Sequence, residues 1–175
     1  LANLVRALSP VPGAWFQHGA AHIKLLAATA LVHDGVEIWE TGAIMLYLTD
    51  LFPKAGLGPV VGDRDRGTYL SWLAWYGDVF EPVAVFTAAE LSHPMLDATF
   101  RGMPEVVSRL SAQLRKSPFI LGDRYSAADL LLASPFVWFP PMTPDVPEIR
   151  DWITRCQDRP TARWIEEYDA ERAPA

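Results

Sequence analysis

The stretch "VHDGVEIWETGAIMLYL", Val32 to Leu48, sets an acidic residue and a threonine side by side just ahead of an apolar, helix-like stripe. The first N–H groups of a helix have no intrahelical acceptors and carry partial positive charge, so a helix start attracts an anion. Thr41 can offer its hydroxyl and backbone N–H to a carboxylate. Glu40, one residue earlier, can accept a charge-assisted hydrogen bond from an ammonium. The pair therefore suits a zwitterion whose amine and carboxylate lie close together. From chemistry alone, Thr41 serves equally well as an N-cap and Glu40 as a favourable charge beside the dipole.

Local elements must hold that pair in place. Asp34-Gly35 tolerates the positive φ angles of a tight turn and joins two short extended runs, "ALVH" and "VEIW", into a hairpin. In the second run Val36 and Ile38 share one face. A helix follows from Thr41, with Ile44, Tyr47, Leu48 and Leu51 on one stripe, and stops before Pro53. Upstream, "GAAHIKLLAATA" reads as a short helix leading to the hairpin. Downstream, the Gly- and Pro-containing "KAGLGPVVGD" reads as a linker. The expected organisation is residues 1–53, a linker at 54–63, and an all-α unit at 64–175.

Helical periodicity dominates the second half. Tyr69, Leu73, Tyr76 and Phe80 mark one helix, which Pro82 bends or interrupts. Pro104 opens another through Val107, Leu110 and Leu114. Ile149, Trp152, Ile153 and Cys156 form the i, i+3, i+4, i+7 stripe of a third. In "GDRYSAADLLLASPF", Ser126 and Asp129 have capping-box spacing ahead of a run that is apolar nearly all round, which predicts a central buried helix with both polar residues as structural caps.

Composition narrows the classes of function. Half of the 175 residues are hydrophobic and seven are tryptophan, as in a folded chain with a substantial core. A net charge of -6 without a Lys/Arg cluster argues against nucleic-acid binding. No apolar run reaches the ~18 residues of a membrane span. The single cysteine, Cys156, excludes an internal disulfide and suits a reducing, cytoplasmic setting. His18 and His22 have i, i+4 spacing that could share a metal on a helix, but Gly19 stands where a zinc protease has its glutamate. No metal site is expected, Cys156 reads as a core residue, and His33 and His93 read as turn and loop residues.

The segments "LVHDGVEIWETGAIMLYLTDLFP" and "FILGDRYSAADLLLA", supported by "IRDWITRCQDRP", resemble the soluble, bacterial-type glutathione S-transferase family. The resemblance implies a mainly α fold: an all-helical C-terminal bundle preceded by a partial thioredoxin-like α/β domain, the hairpin plus its helix. It also implies that the γ-glutamyl end of glutathione sits at Glu40 and Thr41. The family's cis-proline position falls on Thr29, preceded by Ala28, whose backbone would face the cysteinyl part. The first helix of the α domain would line the electrophile pocket, with Trp72, Trp75 and Tyr76 as candidates. The thiolate-stabilising residue is not identified; "LSPVPG" offers only Ser9. The N-terminal half of the thioredoxin-like domain is accordingly expected to be lost, replaced or altered.

The activity implied is attack of the glutathione sulfur on a small electrophile, with glutathione as co-substrate and no other cofactor. The aromatic-rich "YLSWLAWYGDVF" is compatible with the homodimer common in the family. The alternative is a non-catalytic glutathione-transferase-like binding or scaffold protein.

Overall fold

A computed structural model describes residues 15–18, 21–26, 30–162 and 164. Four strands, β1 (Trp15–His18), β2 (Ala21–Leu26), β3 (Ala30–His33) and β4 (Val36–Ile38), form one antiparallel sheet in chain order. The hairpin between β3 and β4 has the expected turn, with φ of 49° at Asp34 and 82° at Gly35. Two consecutive positive φ values match the right-handed twist of the flanking strands.

The helix expected over Gly19 to Ala30 is replaced by β2. Its Ala, Lys and Leu favour a helix in isolation, yet β2 pairs along one edge with β1 and along the other with β3, so ladders on both sides override local propensity. This also removes the helical spacing of His18 and His22. In the sheet His18 pairs with Ala21 and His22 with Gln17.

Helix α1 (Thr41–Leu51) follows, and a 3₁₀ turn at Pro53–Ala55 ends it. Ile44 and Leu48 pack with Leu31 in a small core beneath the hairpin, joined by Ile38, Tyr47, Leu51 and Phe52. Met45 turns instead into the large core of the helical half. One helix thus belongs to two cores. His33 contributes more than a turn residue would: its Nδ1 is hydrogen-bonded to the Tyr47 hydroxyl, tying β3 to α1.

The helical half comprises α2 (Arg66–Trp75), a π-helical segment (Tyr76–Phe80), α3 (Glu81–Ala88), α4 (Pro94–Phe100), α5 (Gly102–Leu114), α6 (Ala127–Trp138) and α7 (Pro147–Gln157). Among the described residues no helix is long and apolar enough to cross a membrane. His93 is the N-cap of α4, where its ring accepts from the Met95 N–H. The α7 stripe is buried as expected, with Ile149, Trp152, Ile153 and Cys156 all inside. Helix α6 is the most enclosed: Ala127, Ala128, Leu131, Leu132, Ala133 and Phe136 are buried.

Proline at 135 deprives the Leu131 carbonyl of its usual N–H donor. The Ser134 hydroxyl donates to that carbonyl at 2.7 Å and fills the gap.

Asp129 is fully buried and accepts four hydrogen bonds. Its Oδ2 accepts from the Ser126 N–H (2.9 Å) and hydroxyl (2.7 Å); its Oδ1 accepts from the Ile120 N–H (2.8 Å) and the Trp152 indole N–H (2.9 Å). Burial pushes the Asp129 carboxyl above its ordinary range, and the donors around it pull it back. The residue expected as a helix cap also clamps the loop before α6 and the helix α7 onto α6.

Two contacts tie the helical half to α1 and to the segment that follows it. Arg66 at the start of α2 makes a two-pronged pair with Asp50 at 2.6 and 2.8 Å and donates to the Pro59 carbonyl at 2.8 Å. The Leu57 carbonyl accepts from the Ala127 N–H at 2.7 Å, so the connecting segment caps the central helix.

Candidate functional site

The turn that joins β4 to α1 brings Glu40 and Thr41 to one end of a cleft. Glu40 is the N-cap residue of α1, but its φ of 66° and ψ of 123° lie outside the regions that L-residues favour. Such a conformation costs about 1–3 kcal/mol and persists only where the surroundings impose it. The helix start has no side-chain cap. Glu40 is exposed and Thr41 half-buried, so the α1 N-terminus opens on the cleft with a carboxylate beside it.

The opposite wall is the junction of α2 and the π-helical segment. The cleft, about 400 Å³, is lined by Glu40, Thr41 and Gly42 on one side and by Leu73, Tyr76, Gly77, Asp78 and Glu81 on the other. Gly42 fixes the approach of the two walls. A Cβ there would come within 3.2 Å of the Leu73 carbonyl oxygen, closer than side-chain carbons normally lie. The widened turn at Tyr76–Phe80 places Tyr76, Gly77 and Asp78 on the cleft, and the Tyr76 hydroxyl donates to Glu81 Oε1 at 3.2 Å. A π-bulge inside a helix often occurs at functional sites, and here it ends two residues before Pro82, which has no N–H to continue the regular ladder.

The aromatic residues proposed for the pocket are divided. Tyr76 lines the cleft. Trp72 and Trp75 do not: they flank a separate groove with Arg64 and Arg109 on another side of α2. Their rings meet edge to face at 5.3 Å, and the Arg109 guanidinium lies 5.5 Å from the Trp75 ring centre. Ser126 and Asp129 are buried in the cap described above. Ala28, Thr29 and Ser9 lie outside the described residues. Besides its apolar lining, the cleft holds four residues that are not candidates from sequence: Gly42, Gly77, Asp78 and Glu81. The signal for the last three was the foreseen interruption at Pro82, which reorients the turn before it.

The family described as "Glutathione S-transferase, C-terminal domain" matches residues 55–160. The chain belongs to the glutathione S-transferase family. A crystal structure of a glutathione transferase from Methylococcus capsulatus str. Bath superposes with a TM-score of 0.69 at 26% identity, covering 81% of this chain and 73% of that one. A sphingomonad glutathione S-transferase solved in complex with glutathione gives a TM-score of 0.67 at 25% identity, covering 81% and 73%. The disulfide-bond oxidoreductase YfcG of Escherichia coli strain K12 is 26% identical over 144 residues, covering 73% of this chain and 62% of that protein. The chain spans 57% to 68% of the length of the curated relatives it matches. Membership of the glutathione S-transferase family accounts for the order of the elements: hairpin, helix, connecting segment and a bundle built on the capped α6.

Proposed function

We propose that this glutathione S-transferase family member binds glutathione through Glu40 and Thr41 and conjugates its sulfur to a small electrophile. The observation that carries the proposal is the uncapped α1 N-terminus, open to a cleft, with the strained Glu40 beside it. The γ-glutamyl carboxylate would accept from the Thr41 hydroxyl and N–H, and the γ-glutamyl ammonium would donate to Glu40. Backbone at Ala28 and Thr29 would meet the cysteinyl part. In the reaction the thiol gives its proton to solvent, the sulfur bonds to the electrophilic carbon, and the leaving group departs with its bonding electrons. Holding both reactants in one cleft supplies the entropic part of the acceleration. Tyr76 would face the electrophile.

The solved relative in complex with glutathione supports the choice of ligand, and the relative named as a disulfide-bond oxidoreductase supports sulfur exchange as a second reading of the same site. Assembly as a homodimer would use the Trp72–Trp75 face of α2. Conjugation of glutathione to chlorodinitrobenzene, followed by absorbance, tests the transferase. Turnover above the uncatalysed rate supports it, whereas retention on immobilised glutathione without turnover leaves the non-catalytic binding protein.

A further inference from the structure

From the charge lining the cleft we infer that this site selects electrophiles bearing a positive charge over anionic ones of the same shape. The inference rests on the transferase reading for its substrate but not for its geometry. Three acidic residues line the cleft: Glu40 at the helix start, and Asp78 and Glu81 across from it. Among the described residues no Lys, Arg or His lines it. Glu40, Asp78 and Glu81 have no salt-bridge partner among those residues.

The three carboxylates have separate tasks. Glu40 would be taken up by the ammonium of glutathione, leaving Asp78 and Glu81 for the second substrate. Glu81 is steadied by the Tyr76 hydroxyl, and Asp78 owes its place to the π-helical turn. The apolar floor of Leu46, Leu70 and Leu73 accommodates a hydrophobic body, so the fitting ligand has an apolar or aromatic body with a cationic group at its edge. Asp78 and Glu81 are exposed, so each acts through solvent. For a charge held ~6 Å away, Coulomb attraction in water reduced by salt gives about a two- to threefold effect per carboxylate. An anion is disfavoured by the same factor, so the ratio of cation to anion affinity from the pair is on the order of tenfold or more.

The test is equilibrium binding of two nitroarenes of matched shape, one carrying a trimethylammonium group and the other a carboxylate, to the full chain at low ionic strength. Wild type should bind the cation at least tenfold more tightly, and the ratio should fall severalfold in the double variant Asp78→Asn, Glu81→Gln, to the smaller preference that Glu40, without an ammonium partner when glutathione is absent, still gives. These substitutions keep size, and the amide introduced in place of the Glu81 carboxylate still offers an oxygen to the Tyr76 hydroxyl. Far-UV circular dichroism and the denaturation midpoint check that the fold is retained. A ratio near one in wild type, a ratio unchanged in the double variant, or no binding of either probe overturns the inference. Because binding is read without glutathione, failure of the transferase reading appears separately, as absent conjugation with the cation preference intact.

Discussion

Replacing Asp129 with Asn tests whether one buried carboxylate holds three parts of the helical half together. The carboxylate satisfies four donors with two oxygens, and asparagine has only one oxygen to offer. In the best arrangement that oxygen keeps the Ile120 N–H and the Trp152 indole, and the Ser126 hydroxyl turns to accept from the new amide. The Ser126 N–H is then left without an acceptor at a buried position. An orphaned buried donor costs about 1–3 kcal/mol, and the retained bonds lose their charge assistance, so the expected destabilisation is about 2–4 kcal/mol. Against a total of roughly 5–15 kcal/mol that is a large share. Urea denaturation followed by tryptophan fluorescence should show the midpoint falling by on the order of 1–2 M, with little change in slope. Ser126→Ala, which removes the hydroxyl but leaves the carboxylate its other donors, should cost less, about 0.5–2 kcal/mol. An Asp129→Asn midpoint equal to wild type, or one higher than that of Ser126→Ala, would refute this account of the cluster.

Glu40→Gly should raise the denaturation midpoint by relieving up to about 2 kcal/mol of backbone strain while weakening glutathione binding; a lower midpoint contradicts the strain. Gly58→Ala should destabilise, because its Cβ would meet both Thr49 and the buried Tyr69 ring at 3.1 Å; a stability unchanged from wild type shows that the ring can give way. Burial pushes the Cys156 thiol well above its ordinary range, so iodoacetamide at about pH 8 should label the chain only after denaturant is added. Rapid labelling of the native protein would mean that Cys156 is not in the core.

Much of the fold was legible because several signals coincided within short windows. Asp34-Gly35 between two apolar runs, Pro53 after the Thr41 stripe, and Ser126–Asp129 ahead of an apolar run each have one low-energy local solution. The β2 segment reads as a helix because its Ala, Lys and Leu carry helix propensity, while its state is decided by ladders to the neighbouring strands β1 and β3, which composition does not reveal. The wider role of Asp129 was hidden because two of its four donors, Ile120 and Trp152, lie outside the local cap, 9 and 23 residues away. Of the residues that line the cleft, Glu40, Thr41 and Tyr76 are among the candidates that sequence alone offers. For Asp78 and Glu81 the interruption at Pro82 marks where the helix changes, but helical periodicity does not give the rotation that a π-helical turn introduces. Trp72 and Trp75 are pocket candidates because the resemblance puts the first helix of the α domain there, but regular helical spacing carries them to another side of α2.

Calorimetric titration of glutathione into the wild-type chain and into Glu40→Gln measures the proposed γ-glutamyl contact itself. The substitution keeps the size and an acceptor oxygen but removes the charge that would meet the γ-glutamyl ammonium. A charge-assisted hydrogen bond is worth about 1.5–3 kcal/mol, so the wild type should bind and the variant should bind roughly 10- to 100-fold more weakly, with an unchanged denaturation midpoint. Equal affinities, or no binding of glutathione by the wild type, would contradict the assignment of Glu40 and Thr41 as the γ-glutamyl site.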